Sequence, residues 1–334
     1  VCLVGRGIID IAKDRETPVA LSSITKKEIS EKTGNQEFPT IMKNTPSMFV
    51  SNESGGYGES RITVRGFGQS NVALLFNGQP VNGMGDGKLY WSNWSGLTDI
   101  ANEIQIQRGL GSSKLAISSV GGTINIITKA TEKQKSTTAR FLVGNDGYVK
   151  TSLEYNSGLK GKWGISLLAS GWRGDGYNRY TNGSGQTYFL SVGYKPSDEH
   201  LLNFMIYGSP QQSNQNFFST IKDFQTYGKK YNVNEGWFNG SRISERSGYN
   251  HKPIANLNWD WKISNISNLS TVLYASWGRV GTTGSFGSNK NIDGYRNKQT
   301  GLIQWESVIQ YNQENAIELS LIHISEPTRR TPIS

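Results

Sequence analysis

The chain has 334 residues, including 39 Gly, 12 Phe, 15 Tyr and 9 Trp, with a net charge of +9 and a mean hydropathy of −0.50. Glycine follows no three-residue period, which excludes collagen, and the aromatic content excludes a disordered chain. No run of 18 apolar residues is present to cross a bilayer as a helix, whereas a membrane β-barrel passes every one of these filters because its strands alternate apolar and polar residues.

At the start of the chain stand Val1 without a Met and an apolar stretch through Ala12. The expectation is that sequence upstream is missing. Cys2 is the single cysteine, so neither an intrachain disulfide framework nor a multi-cysteine metal site is expected. Lysine and arginine are scattered in runs no longer than two, which argues against nucleic acid as a partner. The basic balance suits anionic lipid or an acidic ligand instead.

The first region reads as a small α+β domain. Thr25 stands three residues before Glu28, a capping box opening a helix to Lys32. Strands are predicted at Ser60–Arg65, Val72–Phe76, Glu103–Arg108 and Thr123–Thr128. Ile104 and Ile106 alternate with Glu103, Gln105 and Gln107, which predicts one buried and one wet face. Asn77-Gly78 signals a short hairpin. A polar connector follows at Lys129–Ser136.

Most aromatics lie beyond residue 136, and so do long alternating segments. In Tyr148–Asn156, Val149, Thr151, Leu153 and Tyr155 point one way and Lys150, Ser152, Glu154 and Asn156 the other. Further strands are predicted at Thr137–Val143, Lys162–Trp172, Thr187–Lys195, His200–Gly208, Ile254–Lys262, Asn268–Gly278 and Gly301–Tyr311, about eight in all, each near the ~10-residue length of a tilted membrane strand. Short links (158–161, 196–199, 263–267) alternate with long ones (173–186, 209–253, 279–300), as in a barrel with tight periplasmic turns and long outer loops. Trp163, Trp172, Tyr194, Tyr207, Trp261 and Trp277 sit near strand ends, where interfacial girdles form. The tail from Leu319 to Ser334 resembles a translated sequencing adapter and is set aside from function. His200 and His251 belong to no metal-binding or nucleophile arrangement, and no phosphate-cradling loop is present, so no enzyme, metal or cofactor is expected.

Four motifs in order, Arg61-Ile-Thr-Val-Arg65-Gly66-Phe67, Leu74-Leu-Phe-Asn77-Gly78-Gln-Pro80-Val, Ile104-Gln-Ile-Gln-Arg108-Gly109 and Gly121-Gly122-Thr-Ile-Asn125-Ile-Ile-Thr128-Lys129, resemble the plug domain of TonB-dependent outer-membrane receptors, with a Bacteroidota-like cast. The resemblance implies an α+β plug followed by an antiparallel transmembrane β-barrel, incomplete here at about eight of the 22 strands of such transporters. It implies a TonB-box-like segment at residues 1–15, a plug at 16–130, a connector at 131–136 and a partial barrel at 137–318, ahead of the 319–334 tail. Val1, Leu3, Val4, Ile8, Ile9 and Ile11 would then add as a strand to TonB, which works with ExbB and ExbD. Arg61, Arg65, Glu103 and Arg108 would pair with barrel groups. Gly66, Gly78, Gly109, Gly121 and Gly122 would form plug turns. Tyr57, Tyr90, Trp91 and Trp94 would contact the ligand, with Phe217, Phe218, Tyr231, Trp237 and Phe238 of the long loop as further contacts. The implied ligand is a scarce small molecule or oligosaccharide, such as an iron chelate, haem or cobalamin. Outer-membrane lipid and a surface lipoprotein are the other implied partners, in a Gram-negative cell. Two other readings stay open: a passive porin-like channel, and a soluble carbohydrate-binding β-protein.

Overall fold

The computed structural model describes residues 20–34, 36–53, 57–109, 119–128, 130–284 and 292–314. Strand β1 (Ala20–Thr25) runs into helix α1 (Lys26–Thr33), which starts where the capping box requires. Thr25 Oγ1 accepts the Glu28 N–H, and the Glu28 carboxylate accepts the Thr25 N–H at 2.9 Å. After β2 (Met48–Asn52), β3 (Ser60–Val64), β4 (Val72–Phe76), β5 (Glu103–Arg108) and β6 (Gly122–Ile127), the main plug sheet has the order β1-β5-β6-β4. β2 and β3 pair separately. Asn77 and Gly78 both take positive φ, 49° and 82°, and turn β4 back on Gln79–Pro80 as a type I′ geometry demands.

Register puts Ile24, Leu74, Phe76, Ile104, Ile106, Ile124 and Ile126 on one face of the sheet, and all are buried. Each such side chain stabilises by about 1.5–3 kcal/mol. The expected wet face is a correction. Gln105 and Gln107 are 5% and 3% exposed, and their partners Asn125 and Thr123 are equally buried. β5 and β6 are interior strands of a sheet enclosed by a larger one, so both faces are covered and the polar one is hydrogen-bonded: Asn125 Oδ1 accepts the Gly78 N–H at 3.3 Å.

The larger sheet begins with β7 (Ser136–Val143), β8 (Val149–Lys160), β9 (Trp163–Gly174), β10 (Gly183–Tyr194) and β11 (His200–Gly208). It continues through β12 (Gln211–Asn214), β13 (Ser247–His251), β14 (Ile254–Lys262), β15 (Asn268–Ser276) and β16 (Arg279–Thr282). Its path is β15-β14-β11-β10-β9-β8-β7, all antiparallel, and β7 and β15 are unjoined edges among the described residues. It is an open, curved wall, as expected of an incomplete barrel.

Apolar side chains form outward rows across this wall. Trp163–Tyr194–Leu202–Trp259 is the lowest, followed by Ile165–Val192–Phe204–Leu257–Leu273, Leu167–Leu190–Ile206–Ala255 and Ala169–Tyr188. Inward rows are polar, as in Asn156–Ser166–Ser191–Met205–Asn256. That polarity is the reverse of a soluble core and matches a lipid-facing barrel. Trp163 stacks on Tyr194, and Trp259 on Trp261, at the end with the short turns.

Two stretches depart from expectation. The 209–253 link is only partly loop: β12 and β13 continue the lines of β11 and β14, and β16 pairs with β13. Only Ile303–Gln304 of the predicted strand Gly301–Tyr311 is extended, and Trp305–Glu314 is helical. Its alternation fits a strand, but a helix satisfies its own backbone whereas a strand needs a neighbour's. Among the described residues Ile303–Gln304 joins Glu235–Phe238, not the barrel wall.

Candidate functional site at the plug and barrel interface

The plug lies against the inner face of the wall, and three kinds of contact hold it there. The ionic set is built on Glu154, an inward residue of β8. Its carboxylate accepts Lys26 Nζ at 2.9 Å, from the first residue of α1, and Lys133 Nζ at 3.0 Å, from the connector. Asn156 Nδ2 donates to the same oxygen at 3.0 Å, and Lys133 also donates to Ser166 Oγ at 3.1 Å. The Lys133 side chain is 5% exposed and that of Glu154 8%. Burial pulls the Lys133 ammonium below its ordinary value, against the attraction of Glu154. A second buried pair joins Lys150 of β8 to Asp99 of the plug at 2.7 Å.

The aromatic contacts are centred on Tyr207. Trp94 stacks on it at 6.2 Å and 12°, Phe76 meets it edge-on at 5.6 Å, and its hydroxyl donates to Ser95 O. Higher up, Tyr57 packs on Trp172 at 4.7 Å. The third kind is polar: Asn77 Nδ2 lies 3.2 Å from Met205 Sδ, and Asn256 Nδ2 donates to Gln79 Oε1 at 3.4 Å. The connector lies flat on the wall because Gly193 lacks a side chain. A Cβ there would stand 2.2 Å from Thr131 Cγ2.

The plug's own outward loops are tied by buried acids. The Glu59 carboxylate accepts the N–H groups of Trp91 at 3.0 Å and Ser92 at 3.2 Å, and the Ser92 hydroxyl. Glu37 accepts the Gly58 N–H at 2.6 Å and Ser60 Oγ at 3.1 Å. Burial raises both carboxyls, Glu59 to about 7, in opposition to these hydrogen bonds.

The site residues expected from sequence fall in several places. Val1, Leu3, Val4, Ile8, Ile9 and Ile11 lie outside the described residues. The charged plug residues find neighbours within the plug: Arg61 is 3.7 Å from Glu53, the Arg65 guanidinium covers Gly109, Glu103 accepts from Gln105 at 3.3 Å, and Arg108 Nη1 donates to Pro46 O at 3.4 Å. Among the described residues the cations that reach a barrel carboxylate are Lys26 and Lys133, which sequence reasoning missed. Gly66, Gly78, Gly109 and Gly122 take positive φ, and a Cβ on Gly121 would stand 2.8 Å from that of Phe67. Of the aromatic set, Tyr90 is exposed, with its hydroxyl on Asp86 at 2.6 Å. Trp91 and Trp94 are a correction, being 3% and 2% exposed. Trp91 stacks on Phe38 and donates to Gln69 Oε1 at 2.7 Å, so both rings serve packing. In the long loop Tyr231 is buried and donates to Gly301 O, whereas Phe217, Phe218 and Trp237 are exposed.

Residues 13–123 match the family described as TonB-dependent Receptor Plug Domain. The chain belongs to the TonB-dependent receptors. It is 22% identical over 251 residues to the vitamin B12 transporter BtuB of Vibrio vulnificus, covering 72% of this chain and 40% of that one. It is 27% identical over 121 residues to a ferric enterobactin receptor of Pseudomonas aeruginosa, covering 33% and 16%. The closed form of the ferric-catecholate import receptor Fiu from Escherichia coli K12 superposes with a TM-score of 0.65 at 14% identity, over 86% of this chain and 42% of that one. The siderophore receptor PiuA of Acinetobacter baumannii gives 0.63 at 13%, over 83% and 39%. The chain thus spans about two fifths of the length of the first of these relatives. They are transporters and receptors, not enzymes, and this chain is not an enzyme either. As a TonB-dependent receptor its place is the outer membrane of a Gram-negative bacterium, in keeping with the apolar outward rows.

Proposed function

We propose that this receptor binds a scarce nutrient outside the cell and admits it to the periplasm when TonB, energised with ExbB and ExbD, pulls on the segment within residues 1–15. The observation that carries the reading is the plug itself. It is held to the wall by Lys26, Lys133 and Glu154 and by Asp99 and Lys150, which block passage yet are separable contacts. A passive porin-like channel has no use for such a gate. Lys26 follows β1 directly and sits on Glu154, so tension arriving from the N-terminal side meets this contact early. Relatives named for vitamin B12 and for ferric enterobactin support a compact metal-bearing chelate as the ligand class. Tyr90 and the exposed loop aromatics would meet the ligand.

The test is uptake by cells carrying the full-length receptor, with and without residues 1–12 and with and without the TonB partner. Ligand binding at the surface should persist in all cases, and accumulation should stop in either deletion. Accumulation unchanged by both would sink the reading.

A further inference from the structure

We propose that the outer wall of the barrel, above its apolar band, is a binding site for the saccharide headgroup of an outer-leaflet glycolipid. Above the Tyr188 row the outward side chains change character. Arg173, Ser184, Gln212 and Tyr249 stand side by side in one register row across β9, β10, β12 and β13. Two adjoining concavities of about 930 and 610 Å³ share these four residues.

The lining has the chemistry of sugar recognition. Asn214 Nδ2 donates to Asn182 Oδ1 at 2.9 Å and Ser247 Oγ to Asn214 Oδ1 at 2.5 Å, an array of paired amides and hydroxyls with donors and acceptors still open to the groove. The Tyr249 ring, 37% exposed, offers a flat face for a pyranose. Arg173 is exposed and has no carboxylate within ion-pair distance among the described residues, so it is placed to take a phosphate or carboxylate on the headgroup.

Height selects a membrane lipid as the occupant. Row to row is two residues, so the Arg173 row lies four residues, about 13 Å along the strand, beyond the Tyr188 row. At a tilt near 45° that is about 9 Å in height, which sets it in the headgroup zone flanking the hydrocarbon core. The groove does not open into the lumen. The inward neighbours are packed on the plug, as Ser213 is through its hydroxyl to Tyr57 O, so the site is separate from any transport route.

The experiment uses the full-length receptor extracted in mild detergent, with glycolipid per receptor counted by mass spectrometry after exchange into lipid-free detergent. Wild type should retain the glycolipid. Arg173→Ala with Tyr249→Ala, and separately Ser184→Trp, which fills the groove, should each lower retention by about tenfold or more. Bound phospholipid and nutrient uptake should not change, and heat-modifiable gel migration certifies the fold of each variant. Equal retention by wild type and both variants would overturn the proposal. So would binding of the soluble deacylated glycan without the lipid-borne form, since the occupant would then be a free saccharide.

Discussion

Glu154→Gln should loosen the plug more than any other single charge change at the interface. The substitution keeps the size and a hydrogen-bond acceptor but leaves Lys133, 5% exposed, as a buried cation without a counter-ion. The bare attraction at 3.0 Å is about 5 kcal/mol at an effective dielectric near 20. Breaking one side of a buried pair destabilises by about 3–5 kcal/mol. Lys26, with its side chain 42% exposed, adds only about 0.5–1 kcal/mol. The expected loss is therefore about 3–4 kcal/mol, against less than about 1 for Lys26→Met. Hydrogen exchange of α1 and the connector in the full-length receptor reads the docking free energy directly. Adding Lys133→Met to Glu154→Gln should restore most of the loss, because the orphaned charge is then gone. If Glu154→Gln shifts protection by under about 1 kcal/mol, or if the double variant is as loose as the sum of the singles, the ionic account of docking is wrong.

Other expectations follow from the same geometry. The raised Glu59 carboxyl stabilises the plug fully below its ordinary value of 4.5, and that contribution is lost as pH rises through about 7. The plug should thus unfold about 3 kcal/mol more easily at pH 8 than at pH 4.5 on this group's account. Glu59→Gln should flatten that part of the pH profile of the denaturation midpoint. Trp94→Ala, which empties the space against Tyr207 and Phe76, should destabilise by about 3–5 kcal/mol, whereas Tyr90→Ala should leave stability within about 0.5 kcal/mol; paired denaturant titrations compare them. Gly193→Ala drives a methyl into Thr131 and should destabilise by about 1–3 kcal/mol, with Thr131→Ser in the same chain recovering it; thermal shift of the two proteins decides.

Period-two alternation made the barrel strands legible, because membrane strands advertise both faces in sequence. Lys150, Ser152, Glu154 and Asn156 were placed together on one side, and that side does face the plug. Their partners were not legible. Lys26 and Lys133 look like ordinary surface lysines until the connector is laid on the wall at Gly193. The Gln105 face was misjudged for a related reason: a plug buries polar surface inside a polar-lined barrel, so polarity in sequence no longer signals water. The same enclosure hides Trp91 and Trp94, whose Gly-rich surroundings resemble an open loop. Residues 301–311 show the limit of periodicity itself, since alternation cannot supply the neighbour a strand must pair with.

The most direct test of the gate is to lock it. An ideal Cβ on Gly96 of the plug stands 3.0 Å from the Thr187 Cβ of β10, within about half an ångström of disulfide spacing. In a full-length receptor carrying Gly96→Cys and Thr187→Cys with Cys2→Ser, oxidised cells should bind ligand at the surface but accumulate none, and reduction should restore uptake. Undiminished uptake with the crosslink formed would contradict the claim that the plug must move for the nutrient to pass.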